Sequence, residues 1–348
     1  MATIRDIAAR TGLSKSAVSL ALRESPRIPA ETRELVLAAA RALNYRPNPM
    51  FSHMMRSVRA TGPMQARATL GILHGFAEPQ PARSVPYHAE WLAGARERAE
   101  ALGYAVDELW MKEPGMSARR LSDIIRARGI SALLIAPLPE RRGVQLDWEH
   151  FTAVTAGYSL VEPRLTRAVP HHQQAMLVCL QQLANRGYRR IGFALEKRMD
   201  PLARFNLSAP FEWFQSRLPR SRPVPVLELA GAPRAAFVRW LRRHRPEAVI
   251  LTNRVQADWI RAEKLDVPQD IGVVATSRTV APEGFCCVDH QPRRLGAAAV
   301  DLLIGQLNRG ETGIPANPKT VFTDVTWSEG RSLRVVGPPL TEPKLEFL

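Results

Sequence analysis

"EAVILTNRVQADWIRAEKLDVPQDIGVVAT", residues 247–276, decides the fold class. "EAVILT" (247–252) is a short apolar run of strand character. "QADWIRAEKL" (256–265) then reads as an amphipathic helix, and "DIGVVAT" (270–276) returns to a continuous apolar run. Strands that are apolar throughout, joined by a helix, belong to a parallel sheet covered on both faces.

The same alternation extends outward in both directions. Upstream, strands are expected at 68–74, 104–110, 131–137 and 189–195, and helices at 89–103, 117–129, 175–187 and 235–244. Downstream, a helix is expected over 294–310. About ten such units exceed one compact sheet, so the reading is a core of two doubly wound parallel-sheet α/β lobes. A cleft is expected between the lobes at the C-terminal ends of the strands. No short-period repeat or low-complexity tract interrupts the pattern.

The chain has 348 residues, 45% hydrophobic and 23% charged, with three cysteines at 179, 286 and 287. The cysteines show no CxxC spacing and no nearby ligand-spaced histidines, so neither a disulfide framework nor a metal site is expected. No run approaches the ~20 apolar residues of a membrane helix, and the start lacks the apolar stretch of a signal peptide. A cytoplasmic protein without membrane partners or cofactors is the expectation. The net charge of +15 suits a polyanion. Lysine stands only at 15, 112, 197, 264, 319 and 344, so arginine supplies the rest of the 48 basic residues. Base composition alone produces such a skew, so the placement of charge matters more than its sum.

Residues 1–46 are Gly-poor and helical in pattern. Thr3 and Asp6 form an S/T-x-x-D/E box, and Ile4, Ile7 and Ala8 share a face. Gly12 permits the positive φ of a tight turn, and Ser14 can cap a second helix from Lys15 to about Arg23. That helix turns Val18 and either Ala21 or Leu22 inward. A third helix, about 30–43, is expected to bury Leu35, Val36, Ala39 and Leu43. Helix, Gly-containing turn, helix and supporting helix make a helix-turn-helix unit, and its second helix is the one that enters a major groove. Arg5, Arg10, Arg23, Arg27 and Arg33 surround it as candidate phosphate contacts.

"TIRDIAARTGLSKSAVSLALRE" (3–24), with Thr32-Arg33, Val36, Ala39, Leu43, Tyr45 and Pro47-Asn48, resembles the DNA-binding headpiece of the LacI/GalR family of bacterial transcription regulators. The family joins that headpiece to a periplasmic-binding-protein-like core (type I) of two α/β lobes, the architecture already read from the strand pattern. The resemblance implies base contacts from Lys15, Ser16 and Leu20, and phosphate contacts from Thr3, Ser14, Ser19, Arg23 and Asn48. Leu20 stands where many relatives carry Arg. Leucine cannot donate to guanine and offers an apolar surface suited to a thymine methyl, which implies an operator unlike the usual family site. Pro29 stands where a Ser cap is usual, at little cost in a first helical turn.

Between headpiece and core, "PNPMFSHMMRSVR" (47–59) is too apolar for a solvated linker. The resemblance places a minor-groove hinge helix here, with Met54 at the wedge and Met55 beside it. Phe51 lies three and four residues before them and so shares their face. The expected layout is a headpiece at 1–46, hinge helix and linker at 47–67, a two-lobed effector-binding and dimerisation core at 68–335, and a tail at 336–348.

Candidate effector-binding residues at strand ends are Tyr87, His88, His172, Arg204, Asn253, Arg254 and Ser277. In sugar-responsive relatives, acidic residues occupy the places of His172, Arg254 and Ser277. Their loss, with Arg204 and Arg254 present, points away from a neutral sugar and toward an anionic, sugar-derived ligand. No GxSxG, P-loop, HExxH or GxGxxG occurs, so catalysis is not expected. The favoured reading is a repressor that binds a palindromic operator as a homodimer under small-molecule control. The competing classes are an α/β enzyme, or a non-regulatory ligand-binding protein, carrying a DNA-binding domain.

Overall fold

The structure, a computed structural model, describes residues 4–22, 28–43, 68–77, 85–218, 223–231, 233–341 and 343. The chain divides into two units, Met1–Ala66 and Arg67–Leu348. Thr3, Arg23, Arg27, Asn48 and the hinge residues Phe51, Met54 and Met55 lie outside the described residues.

In the first unit, α1 (Ile4–Thr11), α2 (Lys15–Ala21) and α3 (Ala30–Ala42) enclose Ile7, Val18, Ala21, Val36, Ala39 and Ala40. Gly12 takes φ +69 in the turn between the first two helices. Ser14 Oγ accepts a hydrogen bond from the Ala17 N–H at 3.2 Å, satisfying one of the free donors at the start of α2. Leu35 departs from the sequence expectation and is 52% exposed. The buried stripe runs Val36, Ala39, Ala40 and half-buried Leu43, and at ~100° per residue Leu35 falls about 40° beyond its edge. Ala40, at the opposite edge of the stripe, is buried as well. Arg33 is half-buried and donates to the Ile28 carbonyl at 3.3 Å, so it braces the headpiece rather than projecting freely.

The second unit holds two six-stranded sheets. The first lobe contains β1 (Thr69–His74), α4 (Pro86–Ala101), β2 (Ala105–Trp110), α5 (Ala118–Ala127), β3 (Ala132–Ile135), β4 (Thr152–Ala156) and β5 (Thr166–Pro170). The chain then crosses into the second lobe with α6 (His172–Asn185), β6 (Ile191–Glu196), α7 (Met199–Leu202), α8 (Ser208–Arg217) and β7 (Leu227–Leu229). There follow α9 (Arg234–His244), β8 (Ala248–Leu251), α10 (Arg254–Ala262), β9 (Gly272–Ala275) and β10 (Cys286–Asp289). Helix α11 (Pro292–Arg309) returns to pack on the first lobe. Strand β11 (Thr320–Thr323) joins that lobe's sheet, and β12 (Thr326–Ser328) closes the other.

The first sheet runs β11-β5-β4-β3-β1-β2 and is parallel throughout. The second runs β12-β10-β9-β8-β6-β7, and β12 pairs antiparallel with β10, so this lobe is mixed at one edge. Each sheet separates two apolar clusters. Trp91, Leu134 and Leu303 belong to one face of the first lobe and Ile125, Leu133 and Phe151 to the other. Phe193 and Phe211 sit opposite Trp240 and Val249 in the second. The interleaved crossings place the C-terminal ends of both sheets toward the junction of the lobes, which positions the candidate site.

Candidate functional site

Two surfaces carry the sequence-expected site residues: the outer face of α2, and the strand ends at the junction of the lobes. On α2, Val18 and Ala21 are buried with Leu22 packed beside them. At ~100° per residue, Lys15, Ser19, Ser16 and Leu20 fan across about 140° of the opposite side. Lys15 and Ser16 are exposed, whereas Ser19 and Leu20 are half-buried. Ser14 and Ser16 share a hydrogen bond between their hydroxyls at 3.0 Å. The helix therefore presents one long cation and short polar side chains around its N-terminal turn, with a leucine one turn on. Such short side chains let a helix backbone approach a groove floor closely.

At the lobe junction, the loop after β8 is built by mutual capping. Asn253 Oδ1 accepts from the Val255 N–H at 3.1 Å, and Gln256 Oε1 accepts from the backbone N–H groups of Thr252 and Asn253 at 3.0 and 3.1 Å. Asn253 Nδ2 donates to Glu196 Oε2, at the end of β6, at 3.1 Å. Asn253 thus spends its polar groups on shaping the site. Arg254 follows at the first position of α10 and is exposed. Glu196 also receives a hydrogen bond from Arg198.

Ser277 caps the short turn after β9: its Oγ accepts from the Thr279 N–H at 3.3 Å and lies 2.9 Å from the Thr279 hydroxyl. Arg278 next to it ties the lobes together. Its Nη2 donates to Glu90 on α4 of the first lobe at 2.6 Å, and its Nε to Asp289 at the end of β10 at 3.1 Å.

His172 opens α6 with its ring 5.3 Å from that of His290. Burial first, and then His290 and His171, push the His172 imidazole down to about 3. Burial likewise pushes His290 down to about 4, against a smaller opposing pull from its bond to the Thr276 carbonyl. That carbonyl can only accept, and it lies 3.0 Å from His290 Nε2, so this nitrogen carries the proton of the neutral ring. Both rings therefore present neutral, partly apolar edges.

In the first lobe, Tyr87, in the first turn of α4, packs against the core, and its ring lies 6.0 Å from that of His88. His88 also meets Phe76 edge-on at 5.5 Å, and burial, reinforced by His74, pushes it down to about 4. Arg204, on the second lobe, is exposed and sets its guanidinium carbon 4.9 Å over the ring of Tyr158, which follows β4.

The strand ends thus gather His172, Asn253 and Ser277 with Glu196, Arg278 and His290, while Arg204 reaches the first lobe through Tyr158. Sequence reading missed Glu196, Glu90, Arg278, Asp289, His290 and Tyr158. Glu196 ends an expected strand and was within reach of the strand-end rule. Tyr158 was not, because β4 and β5 were hidden in a loop-rich middle. A carboxylate is therefore present at these strand ends even though the three expected acidic positions are occupied by His, Arg and Ser. A separate cavity of about 1070 Å³ opens on the first lobe, lined by Met116, Leu121, Arg142, Trp148, Arg164 and Pro315 among others. None of the seven expected effector residues lines it. Among the described residues no group of three or more His, Cys, Asp or Glu could hold a metal ion, and no helix is long and apolar enough to cross a membrane.

Comparison with known proteins matches residues 3–48 to the family described as bacterial regulatory proteins, lacI family, and residues 180–333 to a periplasmic binding protein-like domain. The HTH-type transcriptional repressor PurR of Haemophilus influenzae is 23% identical over 334 residues, covering 90% of this chain and 94% of that protein. The HTH-type transcriptional regulator MalR of Staphylococcus xylosus is 33% identical over 105 residues, 30% of this chain and 28% of that one. Among solved structures, a complex of the transcriptional regulator CelR with cellobiose aligns with a TM-score of 0.59 at 18% identity, covering 95% of this chain and 100% of that one. The lac repressor dimer bound to operator and the anti-inducer ONPF aligns with a TM-score of 0.55 at 18% identity, covering 96% and 99%. At these identities the two structures show a shared fold.

Proposed function

From the premise that this chain belongs to the lacI family of bacterial regulatory proteins, we propose that it is a sequence-specific DNA-binding repressor, active in the cytoplasm. The observation that carries the reading is α2: a buried Val18–Ala21 back and an outer arc of Lys15, Ser16, Ser19 and Leu20, within the segment matched to that family. Lys15, Ser16 and Leu20 are the base-reading residues. Ser14 and Ser19, with Thr3, Arg23 and Asn48, meet phosphates. Phe51, Met54 and Met55 form the minor-groove hinge.

One headpiece covers too little DNA for tight specific binding, so the protein works as a homodimer on a palindromic site. A small-molecule effector enters the junction of the lobes near His172, Asn253, Arg254, Ser277 and Arg204, with Tyr87 and His88 on the first-lobe side. Asn253 acts there chiefly by holding its loop. Effector binding shifts the balance between lobe arrangements, because a ligand that touches both lobes stabilises the closed one selectively. Regulation rests on binding alone; no residue of the site is assigned a catalytic role. Selection of bound sequences from randomised duplex DNA tests the reading: it predicts an enriched palindrome, and the absence of any enriched motif refutes it.

A further inference from the structure

Arg167 is the second residue of β5 and is 5% exposed. A guanidinium in such a place normally meets a carboxylate, since taking an unpaired charge out of water is costly. Among the described residues, neither Arg167 nor Arg204 forms an ion pair. The hydrogen bond of the Arg167 side chain runs from Nη1 to the Leu160 carbonyl at 3.5 Å, the limit of such a contact. A second cation faces it from the other lobe. The guanidinium carbons of Arg167 and Arg204 lie 5.7 and 4.9 Å from the centroid of the same Tyr158 ring.

The backbone also holds Arg204 there. Arg204 and the following Phe205 take φ 53 and 61, two consecutive left-handed residues with side chains, an arrangement that the surrounding structure must enforce. Burial depresses the Arg167 guanidinium below its usual range, and Arg204 and Arg164 add to that depression. Arg167 and Arg204 therefore make a positive pair at the lobe boundary. Without a counter-ion, Arg167 and Arg204 repel one another across the junction.

We propose that Arg167 and Arg204 form a two-lobed clamp for the anionic group of a small ligand, a phosphate or a carboxylate, above Tyr158. A fork of N–H donors from each lobe suits the oxygens of such a group. The bound anion turns repulsion between the lobes into shared attraction and so draws them together. This rests on the effector-site reading above and deepens it, naming the class of effector and the residue that sequence reading did not single out, Arg167. It also moves the anion contact from Arg254 to Arg167.

The test uses the full-length protein, with calorimetric titration of inorganic phosphate, acetate and glucose at constant ionic strength. Saturable binding of phosphate or acetate is expected, and whichever binds more tightly identifies the anionic group. Arg204→Gln should weaken it at least tenfold while Arg204→Lys recovers part of the loss. The exposed Arg239→Gln should leave it unchanged. Arg167→Gln, with folding verified by circular dichroism, should weaken it as much as Arg204→Gln. Glucose binding without either anion, or anion binding indifferent to Arg204→Gln, overturns the clamp. Binding to a DNA site selected from random sequence is measured in parallel. Intact DNA binding without anion binding overturns the clamp alone. Intact anion binding without sequence-specific DNA binding overturns the regulator reading and leaves the clamp standing.

Discussion

Substituting Gly94 by alanine should unsettle the first lobe. Gly94 on α4 and Gly296 on α11 let the two helices touch backbone to backbone. A Cβ at Gly94 would lie 2.0 Å from the Arg293 carbonyl oxygen and 2.5 Å from Arg293 Cα; one at Gly296 would lie 2.2 Å from the Trp91 carbonyl oxygen. Ordinary carbon contacts sit at roughly 3.5–4.0 Å, so the helices must part by more than about 1 Å. Neither clashing group is a side chain, so no rotamer change relieves it. Parting would loosen Trp91, Leu92 and Ala95 from Leu295 and Ala299.

Two effects compete. Alanine in a helix interior gains about 1 kcal/mol over glycine. Overpacking of a core costs about 1–3 kcal/mol and occasionally more, and a backbone clash this short lies at or above the top of that range. The expected net result is destabilisation by about 2 kcal/mol or more. Gly305, also within α11, is the control: its nearest neighbour is the flexible Arg309 Nη1 at 3.4 Å. Gly305→Ala should therefore stabilise by roughly 0.5–1 kcal/mol. Urea unfolding followed by tryptophan fluorescence reads both. A Gly94→Ala midpoint equal to or above wild type would refute the reasoning. The contact bears on the proposed effector site, since the first turn of α4 carries Tyr87 and His88 and α11 begins two residues after His290.

Two further outcomes follow from the lobe junction. His88, His172 and His290 are held near 4, 3 and 4, below the ordinary histidine value of 6.5. The unfolded chain therefore takes up protons below about pH 6.5 that the folded chain refuses, and stability should be full above that pH and fall as pH drops toward 4. The limiting slope is about 1.4 kcal/mol per pH unit for each histidine; His172→Gln should flatten the fall in thermal midpoint between pH 6.5 and 4.5, and an unchanged fall would contradict the assignment. Arg278→Met removes the bridge from Glu90 to Asp289. Because Arg278 is 42% exposed, the loss should be no more than about 1 kcal/mol. Hydrogen exchange should quicken in the β9–β10 connection, and exchange identical to wild type would show that the bridge does not couple the lobes.

Much of the fold was legible because long, continuous apolar strands and periodic helices announce themselves. Strands such as "EAVILT" are apolar almost to the last residue, and their alternation with helices gives the parallel two-lobed class. The hidden strands are short or chemically mixed. Strand β5, "TRAVP", carries an arginine and a proline; β4, "TAVTA", is threonine and alanine at four of its five positions; and β11 has an exposed, alternating-poor pattern. Their order is set by long-range crossings of the chain, which no local window contains.

The site divides along the same line. Lys15 and Ser16 were legible from helix phase, since the buried Val18 and Ala21 dictate what faces outward. At the lobe junction, Asn253 and Ser277 were found at strand ends, but their capping work depends on Gln256 and Thr279 in three dimensions. Arg167 was invisible as a ligand candidate because its strand was unrecognised, and only the structure sets it beside Tyr158 and Arg204.

The central claim is that α2 reads DNA sequence in a two-fold complex. Selection from randomised duplex DNA with the wild type and Lys15→Ala, read out by sequencing and by gel-shift titration at fixed salt, tests it most directly. A palindromic motif in the wild type is predicted, with Lys15→Ala costing about 1–3 kcal/mol at the selected site and relaxing preference at one base pair per half-site. Superimposable motifs and affinities for the two proteins would contradict it.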